Sequence, residues 1–203
     1  TFIPNAIPEI RKDELREAAQ VKKELGIQEE NFVLGTISNF YETKGHKYLI
    51  EALKRLYEEG HRFKTVFAGQ GPKLQEMKSL AAGFSDIMFL GYREDNYDIM
   101  NILDLFVLPS IKEGMPYVIL EAMSLRKPVL CTKVGALTDM IKDGVNGYIV
   151  EPQDSGLIYD KLKWILSNRE KAVAVGIAGE KYVSDNFALS KFTESVIRIY
   201  EED

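Results

Sequence analysis

The apolar residues of this chain follow two spacings that alternate along its length. Short runs that are apolar throughout predict buried strands. Longer segments repeat apolar side chains every three or four positions, as Leu49, Leu53 and Leu56 do, and predict amphipathic helices. Strands are predicted over residues 31–39, 63–69, 86–92, 104–110, 128–131 and 146–151. Helices are predicted over residues 12–25, 46–60, 72–82, 95–102, 116–125 and 136–143, with two or three more in residues 154–203.

This alternation predicts an α/β fold. Strands that are apolar throughout belong to parallel sheets with helices on both faces. Right-handed crossovers give a Rossmann-like, doubly wound parallel sheet of about six strands in three layers, α/β/α, with extra C-terminal helices. We expect one domain over residues 1–203, with residues 1–10 as a linker or lead-in segment and residues 187–203 as a closing helix. Such sheets bind ligands beyond the carboxyl ends of their strands, so the residues that follow each strand carry the candidate chemistry.

The composition narrows the classes of function. The net charge of −5 argues against broad nucleic-acid binding, which usually needs a basic face. The one cysteine, Cys131, excludes an internal disulfide, fits a reducing compartment and follows a strand as a small core residue would. No apolar run reaches the roughly 20 residues that span a bilayer. The opening sequence TFIPNAIPEI reads like the interior of a longer protein.

Two glutamates separated by seven residues stand out near the fourth strand. Glu113 follows this strand, and Glu121 lies in a helix whose other side chains are almost all apolar. A carboxylate in such surroundings is costly unless something binds it. An ionised carboxylate accepts several hydrogen bonds, and vicinal hydroxyls offer paired donors. The pair therefore predicts a site that binds hydroxyl groups.

The segment between the glutamates adds backbone donors to this candidate site. Gly114 permits close approach to the backbone, and Met115, Pro116 and Tyr117 lead into the helix. The N–H groups of Gly114, Met115 and Tyr117 are placed to face an anion or a sugar hydroxyl.

Three other strand ends carry candidate ligand-binding residues. Lys44 follows the first strand at a helix N-terminus and suits a phosphate, although a solvated lysine beside a capping Thr43 is the alternative. Gly71 follows the second strand and permits either a ligand or a tight turn. Arg93 follows the third strand and is placed near a phosphate or a base, or is a surface arginine. No GxGxxG motif follows the first strand, so the usual dinucleotide fingerprint is absent.

Two other chemistries are known for paired carboxylates of this kind. They could be the acid and base of a glycoside hydrolase, but that reaction leaves Lys44 at a phosphate position unexplained. A metal site would need more ligands nearby, and His46 and His61 are the only histidines. No metal is therefore predicted.

The ordered set of motifs resembles family 4 (group 1) of the retaining glycosyltransferases. The spacing of acidic residues in EGMPYVILEAM, residues 113–123, is similar to the family's E-x7-E signature, and residues 43–53 resemble its E-K-G-H segment. The resemblance covers nearly the whole chain. Further segments in the family's order are residues 3–8, 68–72, 89–92, 106–110, 121–130 and 134–154.

The resemblance implies a GT-B fold, in which two Rossmann-like domains face each other across a cleft. This chain would be the C-terminal half, which binds a nucleotide-diphosphate sugar, and an N-terminal half would carry most of the acceptor site. The implied activity is transfer of the sugar with retention of configuration, without a metal or other cofactor. The isolated half is expected to be inactive. The implied location is the cytoplasm, with peripheral contact of the full-length enzyme with the inner face of a membrane left open.

The resemblance also implies a role for each candidate residue. Lys44 would bind the donor diphosphate, Glu121 the ribose hydroxyls and Glu113 the transferred sugar, so Lys44 and Glu113 are the expected catalytic residues. The segment from Gly114 to Tyr117 would lie near the sugar and phosphates, and Arg93 would border the base. Gly71 is counted with the donor-binding residues.

One position departs from the family's pattern. Many members have an arginine five residues before the lysine, and here Asn39 stands there. An amide donates a hydrogen bond but supplies no charge. Either another cation, such as Arg93 or a group of the other half, compensates, or donor binding is weaker. Tyr117 also departs, since a smaller or polar residue is common there.

Two other kinds of protein on this type of fold remain as alternatives. A nucleotide-sugar epimerase would need acidic and histidine groups, and His46 is the only histidine near a strand end. A flavodoxin-type signalling module would carry an acidic cluster after the first strand, where this chain has Asn39 and Glu42.

Overall fold

The computed structural model describes residues 6–189 together with residues 192, 193 and 197. Within this part of the chain, six parallel strands form a sheet in the order β3-β2-β1-β4-β5-β6. The strands are β1 Val33–Ile37, β2 Lys64–Ala68, β3 Ile87–Gly91, β4 Leu105–Leu108, β5 Val129–Thr132 and β6 Tyr148–Val150. The helices are α1 Ala18–Glu24, α2 His46–Glu58, α3 Leu74–Leu80, α4 Asn96–Asn101, α5 Tyr117–Ser124, α6 Leu137–Met140, α7 Ser155–Ser167 and α8 Arg169–Asn186. The predicted doubly wound sheet is confirmed.

Alternate side chains of each strand enter two separate apolar layers. In β4, Phe106 and Leu108 pack on one face of the sheet with α1, α4, α5 and α6. Leu105 and Val107 pack on the other face with α2, α3 and α7, and α8 contributes to both layers. Because helices cover both faces, the strands are apolar at nearly every position, which produces the uninterrupted runs in the sequence. Cys131 is one of the buried core residues, as predicted.

The strand order reverses between β1 and β4, which pair side by side at the centre of the sheet. From β1 the chain moves outward through β2 to β3, then returns to β4 and moves outward on the other side through β5 to β6. The connections that leave the carboxyl ends of β1 and β4 therefore lead in opposite directions, and a crevice opens between them. Lys44 and Glu113 belong to the two loops that leave these strand ends.

Residues 12–25 do not form the single helix that the sequence predicts. They form a short 3-10 turn, Lys12–Glu14, and the separate helix α1, with extended backbone between them. Arg16 explains the break, because both its backbone N–H and its guanidinium donate to Asp98 on α4, and the guanidinium also bonds Asp95. These charge-assisted bonds hold the backbone out of the helix that local propensity favours.

The two ends of the described chain pack against each other. The N–H group of Ile7 donates to the carbonyl of Phe187 at 3.0 Å, and both side chains are buried. Ile7 also pairs with Ala188 in an isolated parallel bridge. The predicted closing helix over residues 187–203 is therefore wrong at its first two residues, and most of the remainder lies outside the described residues. Residues 1–5 of the predicted lead-in segment also lie outside them.

Candidate functional site

The loops that follow β1 and β4 contact each other through their backbones. The N–H group of Ile111 donates to the carbonyl of Thr43 at 2.7 Å. Gly45 has a φ of 64°, and a Cβ atom at this position would lie 2.0 Å from the carbonyl oxygen of Pro109. Only glycine satisfies both the backbone conformation and the contact. The 3-10 turn Glu42–Lys44, which precedes α2, is thereby fixed against the loop after β4.

Lys44 and Glu113 form an ion pair between these two loops. Lys44 Nζ lies 2.7 Å from Glu113 Oε1, and the two side chains are 24% and 8% exposed. Ser110 Oγ donates to the same oxygen at 2.6 Å, and Ser110 is fully buried. Among the described residues, no hydrogen bond reaches Glu113 Oε2, so this oxygen is available to a hydroxyl group. The structure therefore places the two expected catalytic residues in direct contact.

The loop after β5 holds the backbone around Glu113 from the other side. The N–H group of Ala136 donates to the carbonyl of Gly114 at 2.9 Å. Gly135 has a φ of 53°, and a Cβ atom there would lie 2.2 Å from the carbonyl oxygen of Glu113. Gly114 itself is exposed, with open space where its Cβ would be. The loop is therefore held on both sides while its backbone at Gly114 stays accessible.

Glu121 lies one turn into α5 and is half-buried rather than fully buried. Its neighbours Leu120 and Ala122 are completely buried. The hydroxyl of Tyr97 on α4 donates to Glu121 Oε1 at 3.1 Å. Burial raises the pKa of Glu121 above its ordinary value, and the hydrogen bond from Tyr97 opposes that rise. Among the described residues Oε2 has no hydrogen-bond donor, as at Glu113.

The N-terminus of α5 offers backbone donors between the two glutamates along the chain. Pro116 precedes the helix with extended backbone, and no side chain caps this end. Pro116 is buried, Met115 packs partly against the core, and Tyr117 is exposed at the first helical position. The first N–H groups of a helix lack intrahelical acceptors and carry partial positive charge. This end of α5 can therefore bind an anion or a hydroxyl oxygen.

His46 is a core residue and not an acid or base of the crevice. It is 2% exposed, its Nε2 bonds Ser38 Oγ at 3.0 Å, and its ring stacks on Phe40 with centroids 4.3 Å apart. Burial lowers the pKa of His46 to about 4, with a smaller contribution from the charge of Lys44. The imidazole is therefore neutral near pH 7.

Gly71 lies in the turn after β2, where the structure explains its identity by packing. Its φ is 150°, and a Cβ atom would lie 2.7 Å from the carbonyl oxygen of Phe40. The N–H group of Lys73 donates to that same carbonyl at 3.0 Å. The turn thus packs on the loop after β1, and α3 begins at Leu74 rather than at Pro72. Contact of Gly71 with a ligand stays a prediction.

Arg93 does not offer a free cation to compensate for Asn39. Its guanidinium forms two bonds with Asp95, Nε to Oδ1 at 2.7 Å and Nη2 to Oδ2 at 2.6 Å. This pairing is the main reason that the pKa of Asp95 is lowered. Arg93 also follows β3, two strands away from β1, whereas Asn39 is exposed in the loop that leads to Lys44. The charge of Arg93 is therefore already balanced within the protein.

Two residues that contact the predicted glutamates were not among the predicted site residues. Ser110 bonds Glu113, and its position directly after β4 was a signal that could have identified it. Tyr97 bonds Glu121 from 24 residues away in the chain. No pattern in the sequence indicates that contact, because it depends on how α4 and α5 pack on the same face of the sheet.

The two glutamates of the site bond different partners, Glu113 with Lys44 and Glu121 with Tyr97. Within the described ranges, no group of three or more histidine, cysteine, aspartate or glutamate side chains is placed to hold a metal ion. Nor is any helix of this part of the chain long and apolar enough to cross a membrane.

The family of the chain is decided by comparison with known proteins. The model of the family described as "Glycosyl transferases group 1" matches residues 17–182. The chain belongs to this family. The resemblance first seen around Glu113 and Glu121 is confirmed at this level. The sheet and both candidate loops lie within the matched residues.

Curated relatives agree with this assignment, and solved structures share the fold. N-acetyl-alpha-D-glucosaminyl L-malate synthase of Bacillus anthracis is 30% identical over 189 residues, which cover 91% of this chain and 49% of that protein. A structure of Anabaena HepE in complex with UDP and glucose has a TM-score of 0.82 at 22% identity and covers 92% of this chain and 52% of that chain. The C-terminal domain of a group 1 glycosyl transferase, LpcC of Francisella tularensis, has a TM-score of 0.74 at 27% identity, over 86% of this chain and 94% of that chain. This chain thus spans about half the length of the curated relatives it matches.

We expect Gly45→Ala to destabilise the chain by about 3 kcal/mol or more, because a Cβ would strike a backbone carbonyl that cannot move aside. Gly60→Ala is the matched control, since Gly60 has a φ of 89° but no atom within 4 Å of a built Cβ. The control should be destabilised only by the strain of the left-handed backbone, by about 1–2 kcal/mol. Urea unfolding of the wild type and of both variants measures the two losses of stability. Equal losses would mean that the contact with Pro109 does not hold the loops together.

Proposed function

We propose that this chain is the donor-binding half of a glycosyltransferase that transfers a sugar from a nucleotide-diphosphate sugar to an acceptor with retention of configuration. The observation that carries the proposal is the pair of glutamates at the strand-order reversal, each bonded through Oε1 and each with Oε2 available. One glutamate lies beside a cation, and the other lies one turn into a helix. A ligand with hydroxyl groups at both ends and anionic charge between them matches this arrangement.

The proposed positions of the donor follow from the chemistry of each group. Glu121 binds the ribose hydroxyls, and Glu113 binds a hydroxyl of the transferred sugar. The diphosphate lies at Lys44 and at the N-terminal N–H groups of α5, where Gly114 leaves the backbone accessible. Met115 and Tyr117 border the sugar and phosphates, and Arg93 borders the base.

The same groups would assist departure of the diphosphate. Negative charge develops on the leaving group as the bond to the sugar breaks, and fixed donors stabilise charge best when they are in place beforehand. Lys44 and the N-terminus of α5 supply such donors in this proposal, so the step requires no metal ion. The other half of the enzyme would bring the acceptor.

The ion pair with Glu113 affects how Lys44 binds a donor. The charge of Lys44 is shared with a carboxylate, and Asn39 adds none. A diphosphate must therefore compete with Glu113 for Lys44, whereas an intact sugar donor can occupy Glu113 Oε2 while its diphosphate approaches Lys44. The pair thus favours the complete donor over the free diphosphate.

A nucleotide-sugar epimerase is the less supported alternative. It requires a histidine that can exchange protons with the sugar, and His46 is buried in the core. Comparison of the full-length protein with and without an acceptor separates the two functions. Formation of an epimer from donor alone would favour the epimerase.

We expect UDP, GDP or ADP to raise the melting temperature of this chain. A nucleotide at 100 times its dissociation constant adds about 2.7 kcal/mol of stability. For a domain of this size that corresponds to a shift of about 5–10 °C. Thermal unfolding with each nucleotide measures it, and no shift with any of the three would contradict the proposed function.

We expect Glu121→Ala to weaken binding of the nucleoside diphosphate about 10- to 100-fold, because two charge-assisted hydrogen bonds to the ribose are lost. Glu113→Ala should leave that affinity unchanged or tighten it, because Lys44 is released from its ion pair. The same Glu113 variant should weaken binding of the matching nucleotide sugar. Isothermal titration of both variants with both ligands gives the four affinities. Equal losses of diphosphate affinity would contradict this division of roles.

We expect the isolated chain to be folded but to show no sugar transfer. The described site has groups for a donor, and the acceptor site is assigned to the other half of the enzyme. Incubation with radiolabelled nucleotide sugars, with the full-length enzyme as the positive control, measures transfer directly. Sugar transfer by the chain alone would contradict the assignment.

A further inference from the structure

Among the described residues, only Tyr97 donates a hydrogen bond to the side-chain carboxylate of Glu121. The bond joins the phenol hydroxyl to Oε1 at 3.1 Å and connects α4 with α5. Tyr97 is 36% exposed, so the bond lies at the surface of the crevice and not within the core. A half-buried carboxylate with one fixed oxygen has few ways to rotate.

Helix α4 is anchored on both sides of Tyr97. Asp95, before it, bonds the guanidinium groups of Arg93 and Arg16. Asp98, after it, accepts from the backbone N–H of Arg16 at 2.9 Å and from Arg16 Nε at 2.8 Å. The next two residues of α4, Ile99 and Met100, are fully buried. The short helix therefore presents the phenol from a fixed position.

We propose that Tyr97 is a positioning residue of the donor site, whose hydroxyl holds one oxygen of Glu121 so that the other is presented to the ribose hydroxyls of a nucleoside diphosphate. This inference rests on the proposed function and adds a residue to it. The hydroxyl also supports the ionised form of Glu121, since burial raises the pKa of this carboxyl and the Tyr97 hydrogen bond opposes the rise. An ionised carboxylate accepts hydrogen bonds from both ribose hydroxyls.

The test is a double-mutant cycle with Tyr97→Phe and Glu121→Ala, read by titration with UDP, GDP and ADP. Tyr97→Phe removes only the hydroxyl and should weaken binding about threefold to tenfold, the loss expected for one hydrogen bond. In the Glu121→Ala background, where the carboxylate that Tyr97 holds is absent, the same change should have an effect of less than about twofold. Tyr182→Phe on α8 is the matched control and should leave the affinity unchanged.

The 2′,3′-dideoxy forms of the same nucleotides separate positioning from a general structural effect. They lack the hydroxyls that Glu121 is proposed to bind, so wild type and Tyr97→Phe should bind them equally. A loss of the same size with the dideoxy nucleotide, or full additivity with Glu121→Ala, would overturn the proposal. The melting temperatures of wild type and the variants without nucleotide should agree within a few degrees, which excludes loss of fold as the cause.

The pH dependence supplies an independent readout. Because the pKa of Glu121 is raised, its contribution to binding is complete at high pH and is lost as the pH falls through that pKa. Tyr97→Phe removes the group that opposes the rise, so the loss should begin at a higher pH. The ratio of wild-type to variant affinity cancels the titration of the nucleotide and should grow on acidification, whereas a constant ratio would contradict the proposal. Failure of wild type to bind any of the three nucleotides would instead refute the proposed function.

Discussion

The site depends on the backbone contact that joins the loops after β1 and β4. A left-handed glycine at position 45 lets the turn that carries Lys44 lie against the carbonyl of Pro109. Only with that contact can a lysine and a glutamate 69 residues apart form an ion pair with little exposed surface. A partly buried charge without its partner is costly, so the contact and the pair depend on each other. The reversal of strand order opens the crevice, and the contact of Gly45 with Pro109 fixes the positions of Lys44 and Glu113 that line it.

The pattern of apolar residues was sufficient to predict the architecture. Five of the six strands and the crossover helices fall within the predicted segments, and β5 exceeds its segment only by Thr132, because a sheet covered on both faces requires apolar residues on both sides of every strand. The failures occurred where tertiary bonds override local preference. Arg16 is held by Asp98 of α4 and by Asp95 directly before that helix, and local helix propensity does not include the effect of those partners.

The candidate site was predictable in part for a similar reason. Residues directly after a strand must lie at its carboxyl end, so the neighbourhood of Lys44 and Glu113 followed from their positions in the sequence. Which charged side chains are already paired or buried could not be predicted from those positions. The pairing of Arg93 with Asp95 and the burial of His46 depend on side-chain packing. The first removes Arg93 as the cation that would compensate for Asn39, and the second removes His46 as an acid or base of the crevice.

Each glutamate divides its two oxygens between the protein and the crevice. One oxygen is fixed by Ser110 and Lys44, or by Tyr97, so folding has already restricted the rotation of the carboxylate. Ordering a free side chain on binding costs about 0.5–1.5 kcal/mol. In this chain that entropic loss is incurred during folding and need not be met again by the ligand. The two carboxylates are therefore preorganised, and a ligand gains more of the energy of its hydrogen bonds than flexible carboxylates would allow.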